Sequence, residues 1–226
     1  MRLTSDDELI KLLKSRMSTA LEGEKLVICL RDRLALASFC SLPQIKDTLV
    51  AGVTTTEEAT ESIRDGFATY VITDDVPEAG SGMELLRAHR HLKTVCLTER
   101  ENEATVREAE ACGVNALIFK SQIRLDGAGS FVEGLSQVAR GGIYLPSGVR
   151  EYIPQAETPE LKMIGTLTER ERSVLTEVGR GLDNASIAEA LVTSEETVKT
   201  HLKAIRQKVG ESDRVRLALL AIRTGV

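Results

Sequence analysis

The sequence predicts a doubly wound α/β domain followed by a small all-α domain, and three observations predict it. Between Lys25 and Ala139, short apolar runs alternate with helical patterns, the order that builds a parallel sheet with crossover helices. After Gly141-Gly142, residues 146–165 hold three of the five prolines and interrupt that alternation. Beyond them only helical periodicity remains.

The elements follow in order. Asp6 to Leu21 places Leu9, Leu13, Met17 and Leu21 four residues apart, one stripe of a helix behind an acidic first turn. This extra N-terminal helix occupies residues 1–24. The runs Leu26–Leu30, Thr48–Val53, Tyr70–Thr73, Thr94–Leu97 and Ala116–Phe119 read as five strands, with helices near 33–41, 56–65, 82–90, 102–111 and 128–139. Residues 25–145 therefore form a five-stranded parallel sheet covered on both faces. Residues 146–165, rich in Pro, Gln, Glu and Thr, read as linker. Residues 166–226 carry helices at Glu169–Gly179, Ala185–Leu191, Glu195–Val209 and Asp213–Arg223, separated by Gly181-Leu182-Asp183, Val192-Thr193-Ser194 and Gly210-Glu211-Ser212.

Composition excludes several classes. With 42% hydrophobic residues among 226, the chain can bury a core, and no apolar run approaches the roughly 18–20 residues of a membrane span. Asp6-Asp7-Glu8 stands where a secretory signal would be basic and then apolar, so a cytoplasmic chain is expected. Cys29, Cys40, Cys96 and Cys112 form no CxxC pair, and three histidines give no metal-site spacing. Cys29 and Cys96 lie in strand runs as packed thiols. Charge is uneven: residues 1–166 hold 19 Lys+Arg against 25 Asp+Glu, net −6, whereas residues 167–226 hold 10 against 9, net +1.

The helix Glu195–Val209 carries two faces. Val198, Leu202, Ile205 and Val209 fall on one, while Lys199, Lys203 and Arg206 form a basic ridge more than 90° away, flanked by Thr200 and Gln207. With the short break before it, Ala185–Leu191 and Glu195–Val209 make a helix-turn-helix, whose second helix can lie in a DNA major groove. The residues Leu167-Thr168-Glu169-Arg170-Glu171-Arg172, Gly181-Leu182-Asp183-Asn184, Ile187-Ala188, Ser194-Glu195-Glu196-Thr197-Val198-Lys199-Thr200-His201 and Lys208-Val209-Gly210 resemble the LuxR-type helix-turn-helix over about 60 residues. The resemblance implies groove contacts by Lys199, Thr200 and Lys203, and backbone or helper contacts by Thr197, His201, Arg206, Lys208 and Asn184. It further implies double-stranded DNA with an inverted repeat as partner, and a homodimer in which the fourth helix, rich in Val215, Leu217, Leu219, Leu220 and Ile222, meets a twin.

The predicted strand ends carry Arg31-Asp32, Asp74-Asp75, Thr98 and Lys120, a carboxylate, a hydroxyl and an amine on the edge where open parallel sheets bind ligands. Tyr70-Val71-Ile72-Thr73-Asp74, Cys96-Leu97-Thr98 and Ala116-Leu117-Ile118-Phe119-Lys120, with Gly141-Gly142-Ile143-Tyr144-Leu145 after them, resemble the receiver domain and linker of NarL/FixJ-type response regulators. That resemblance implies flavodoxin-like strand order, Asp74 as phosphoacceptor, Asp32, Thr98 and Lys120 as its companions, Mg²⁺ held by Asp32 and Asp74, and a sensor histidine kinase as partner. The chain departs from the pattern at three points: one acid instead of two in Arg31-Asp32, Leu117 where an aromatic residue is usual, and a proline one position closer to Asp74.

The functional expectation is a DNA-binding transcription regulator, not an enzyme, whose receiver-like half controls the helix-turn-helix. Phosphorylation of Asp74, and control by a protein partner, a small ligand or the thiols Cys40 and Cys112, both stay open. A phosphohydrolase is a third class, disfavoured because Val76 stands where a second Asp would act as acid.

Overall fold

The structure, a computed structural model, describes residues 4–123, 129–153, 156 and 158–226, with side chains from Lys11 onward except Thr158. In chain order the first half is α1 (Thr4–Leu21), β1 (Leu26–Cys29), α2 (Arg33–Cys40), α3 (Pro43–Lys46), β2 (Leu49–Val53), α4 (Thr56–Gly66), β3 (Tyr70–Asp74), α5 (Gly82–Ala88), β4 (Lys93–Thr98), α6 (Glu103–Cys112), β5 (Ala116–Phe119) and α7 (Ser130–Ala139). All strand pairs are parallel and the order is β2-β1-β3-β4-β5. The doubly wound sheet is therefore as the sequence predicts. Leu9 and Ala128 of the expected helices lie outside the described side chains or residues.

Strands β1, β3 and β5 are buried along their whole length, although β5 lies at one edge of the sheet, whereas β2 at the other edge alternates. Parallel strands sandwiched between helices need apolar residues on both faces, which is why these runs read as continuous. One face packs Leu26, Ile28, Ile72, Leu97 and Ile118 under α1, α2, α3 and α7, with Met17 and Leu21 of the extra helix fully part of that core. The opposite face packs Val27, Val71, Cys96 and Leu117 under α4, α5 and α6. Local signals fix the helix ends. Asp32, Thr55, Ser81 and Asn102 cap α2, α4, α5 and α6 with side-chain oxygens on backbone N–H groups, and Gly113 closes α6 at φ +70.

The second half holds α8 (Thr158–Gly165), α9 (Glu169–Gly179), α10 (Asn184–Ala190), α11 (Glu195–Val209) and α12 (Arg214–Thr224). The expected linker needs correction. It carries a 3-10 turn at Val149–Tyr152 and then α8, with Val149 and Ile164 buried. Pro159 is only the second residue of α8, where the missing N–H costs nothing because first-turn amides have no intrahelical acceptor. Pro154, Gln155 and Glu157 lie outside the described residues.

Through this strap one apolar cluster runs without a break from Leu117 and Phe119 of the sheet, past Ile143, Val149 and Ile164, into Val174, Leu175, Leu202 and Leu217 of the helical half. The two halves are docked, not strung apart.

Helix α10 ends in a Schellman motif: the amide of Thr193 donates to the Ala188 carbonyl at 2.9 Å and that of Val192 to Glu189 at 3.2 Å. The residue between helix and turn must then be left-handed, and Val192 sits there at φ +50 with its side chain 92% exposed. A β-branched residue at this conformation is strained and recovers nothing by burial. Val192→Asn is expected to stabilise the protein by about 1 kcal/mol and to raise its melting temperature by roughly 2–4 °C, measured by circular dichroism; an unchanged or lower midpoint would show that the turn carries no strain.

Candidate nucleic-acid interface and acidic cleft

Helix α11 begins at Ser194, whose hydroxyl accepts from the Thr197 amide at 3.1 Å, with Glu195 and Glu196 in the first turn. Val198, Leu202, Ile205 and Val209 are buried against the other helices of this half. The turn Val192-Thr193-Ser194 then fixes the opposite face outward. Lys199, Thr200 and Lys203 stand exposed on it, and His201 and Arg206 are half-buried at its border. Lys199 makes only a long contact to Glu196 at 3.7 Å. Thr197 is exposed, with its hydroxyl on that of Ser194 at 2.8 Å.

Two expected DNA contacts are instead scaffold. Lys208 places Nζ 2.7 and 2.9 Å from the two carboxylate oxygens of Glu171, on a face of α11 turned toward α9. Glu171 is buried and also closes the capping box of α9, accepting from the Thr168 amide at 2.7 Å while its own amide donates to the Thr168 hydroxyl at 3.3 Å. Lys208 thereby bolts the end of α11 to the start of α9. Asn184 accepts from the Arg214 guanidinium at 3.1 Å. Burial, with the neighbouring Arg206 charge, brings Arg214 down to about 10.

At the carboxyl edge of the sheet lies a cleft of roughly 200 Å³ lined by Arg31, Asp74, Asp75, Val76, Glu99, Arg100 and Lys120. Asp74 is 2% exposed; Oδ2 accepts from the Arg31 amide at 2.8 Å and Oδ1 lies 2.9 Å from Lys120 Nζ. Burial pulls the Lys120 ammonium down, but the Asp74 carboxylate outweighs it and holds Lys120 above its ordinary range. Thr98 turns away from Asp74 and donates to Asp75 Oδ2 at 2.8 Å, where Arg100 Nε also binds at 2.5 Å. That contact holds the Arg100 guanidinium above its ordinary value.

Asp32 does not join this set. Its Oδ1 accepts the Leu34 and Ala35 amides at 2.8 and 3.1 Å as the cap of α2. The expected Asp32 and Asp74 pair for Mg²⁺ is thus not assembled. A hard divalent cation needs several free oxygen ligands, yet each buried carboxylate of the cleft already faces a cation of the protein. Among the described residues no group of three His, Cys, Asp or Glu is arranged to hold a metal. These residues do not fit Mg²⁺.

Sequence patterns do not single out Arg100. A signal exists, a cation two residues beyond Thr98 at the same strand end, but its partner Asp75 lies 25 residues away. As for the thiols, burial pushes both Cys40 and Cys112 up, away from the reactive thiolate.

The family model for bacterial regulatory proteins of the luxR family matches residues 165–221. The transcriptional regulatory protein LnrK of Bacillus subtilis is 27% identical over 219 residues, covering 89% of this chain and 98% of that protein. The nitrate/nitrite response regulator protein NarP of Escherichia coli is 34% identical over 91 residues, 39% of this chain and 42% of that protein. Among solved structures, the two-component response regulator RcsB in its complex with DNA aligns over 88% of this chain and 98% of that chain, at 20% identity and a TM-score of 0.49. Among the described residues no helix is long and apolar enough to cross a membrane.

The bolt between α9 and α11 has a pH signature. The Lys208 ammonium holds the Glu171 carboxyl below its ordinary value. A carboxyl depressed by folding contributes stability that is present above its unfolded pKa and lost as pH falls through the folded one. Thermal midpoints measured from pH 7 downward are therefore expected to drop on the acid side of the ordinary carboxylate range, and Glu171→Gln to lower the midpoint at pH 7 while flattening that drop; parallel curves would show that the Lys208 pair adds nothing to stability.

Proposed function

We propose, from the match of residues 165–221 to the luxR family of bacterial regulatory proteins, that this chain is a DNA-binding transcription regulator whose receiver-like half works without phosphorylation. The observation that carries the DNA reading is the outward face of α11. A helix whose far side is locked into a four-helix scaffold, and whose near side presents Lys199, Thr200 and Lys203 to solvent, supplies cations for phosphates and donors for base edges. A homodimer would read an inverted repeat, since a twofold protein matches a twofold site.

The cleft favours a receiver that needs no phosphoryl donor. A phosphoacceptor must reach its donor, and Asp74 is shielded, with one oxygen on Lys120 and the other on the Arg31 amide. Of its three expected companions only Lys120 meets it; Asp32 is committed to a helix cap and Thr98 to Asp75. The same shielding and the same pairing argue against a phosphohydrolase. Control then falls to the packing between the halves, not to a sensor kinase.

Three measurements test the reading. Selection from a random duplex pool is expected to enrich inverted repeats. Lys199→Ala with Lys203→Ala is expected to weaken binding and to make the log-log salt dependence shallower by about one unit for each phosphate left without its cation, with the circular dichroism spectrum unchanged; equal affinity in wild type and variant would rule out α11 as the reading helix. Intact mass after incubation with acetyl phosphate and Mg²⁺ is expected to show no adduct. An adduct absent in Asp74→Ala would restore phosphorylation.

A further inference from the structure

Helix α6 is held from two sides. On one, Arg100 is fastened at three points: its amide donates to the Thr98 hydroxyl at 2.9 Å, Nε to Asp75 at 2.5 Å, and Nη2 to Glu108 of α6 at 3.2 Å. On the other, Glu110 of α6 accepts from Arg223 of α12 at 2.5 Å, and Arg223 also lies 3.4 Å from Glu160 of α8. Glu108 and Glu110 are two residues apart, about 200° around a helix, so the grips fall on opposite flanks of α6. Arg223 and Glu110 are 13% and 19% exposed, a pair largely shut from water at the seam between the halves. A third contact adds to it: the carboxylate of Asp213, which caps α12, lies so close to Gly113 at the end of α6 that a Cβ there would come within 2.6 Å of it.

We infer that Arg100 is a positioning residue that compensates the buried Asp75 and couples the acidic cleft, through α6, to the docking of α12. The inference rests on the regulator reading above and names what sets its receiver-like half. Its physical basis is charge. Asp75 is buried and without Arg100 would be an uncompensated carboxylate beside Thr98. Arg100 supplies that compensation and, because a guanidinium presents several donors in one rigid fork, holds Glu108 with the same group. Lysine could neutralise Asp75 but lacks the planar fork that aims Nε at Asp75 and Nη2 at Glu108 at once. α6 is therefore the one described helix gripped by side chains from both the cleft and α12, and its position is set from the cleft by a side chain of the protein itself.

Hydrogen exchange on the full-length chain without DNA tests this. Arg100→Ala and Arg100→Lys are each expected to raise exchange in peptides from α6 and from α12, although residue 100 touches no residue of α12, while peptides from β1 to β3 keep wild-type protection. Glu110→Gln is expected to raise exchange in α12 alone, and Arg100→Ala with Glu110→Gln to add little in α12 beyond Glu110→Gln, because both cut one chain of contacts. Wild-type protection of α12 in Arg100→Ala would overturn the coupling, as would strictly additive effects or a loss spread over β1 to β3. DNA affinity measured on the same variants separates the two readings: coupled exchange in a chain that binds no duplex would leave the relay standing and sink the DNA-binding proposal, whereas binding abolished in Lys199→Ala with Lys203→Ala, beside uncoupled exchange, would do the reverse.

Discussion

One hydrogen bond between two backbones, from the Ile143 amide to the Gly181 carbonyl at 3.0 Å, decides where the helical half can sit. Main chains meet this closely only without side chains between them. A Cβ at Gly142 would lie 2.5 Å from the Gly181 carbonyl, and one at Gly181, where φ is +83, would lie 2.3 Å from that of Ile143. The next residue extends the arrangement. Tyr144 exchanges backbone hydrogen bonds with Asn115 and Leu117 at the edge of β5, at 2.9 and 3.0 Å. The edge of the sheet, the start of the strap and the loop before α10 are thus one hydrogen-bonded unit, and the helix-turn-helix is delivered to a fixed place on it.

What holds that place is apolar burial, and what tunes it is charge. Each large apolar side chain fully buried in the continuous cluster contributes roughly 1.5–3 kcal/mol, while an exposed ion pair contributes about 0–1 kcal/mol. The grip of Arg100 on Glu108, with side chains 44% and 39% exposed, belongs to the second kind, and the contacts at Asp75 and Arg223, much more buried, lie between. Charge at the cleft can therefore bias the docked arrangement without being needed to build it. A bistable seam requires that ranking, because an element held only by strong terms could not be set by a weak one.

The fold was legible because its signals are local. Apolar runs, caps and glycine stops act within a few residues, and five strands, the extra helix and α9 to α12 followed from them, whereas the strand order was implied by the family resemblance. The site was legible only in part. Asp32 satisfies a strand-end pattern and a helix cap equally well on paper, and the Leu34 and Ala35 amides, which have no acceptor inside the helix, decide in favour of the cap. Lys208 belongs to the basic count of α11, but its partner Glu171 stands 37 residues earlier, beyond any periodicity. Arg223 finds Glu110 across 113 residues. Long-range pairing of charges has no period, so composition could show that the cations exist and not which of them are free. The strap misled for the opposite reason: its prolines are a real signal for loop, overridden at Pro159 because the first turn of a helix accepts proline.

The arrangement of α11 and α12 narrows what control can act on. The outward face of α11 is open, so the docked form does not hide Lys199, Thr200 and Lys203. α12 is different. Among the described residues none of its large apolar side chains is exposed, since Val215, Leu217, Leu219 and Leu220 are buried and Arg223 is tied to α6 and α8. Most of that packing is against α9 of the same half, with α6 and α8 covering the rest, so on the proposed homodimer reading a second copy would use the part that α6 and α8 cover. One reading unit on a half-site binds weakly, whereas two joined units bind with the second contact made at high local concentration. Apparent affinity for an inverted repeat then scales with the fraction of chains whose α12 is free. On that reading, covering α12 and sparing α11 would regulate association while the chemistry of reading stays unchanged, and the controlling contact would lie at the seam, on the helix that the acidic cleft also holds.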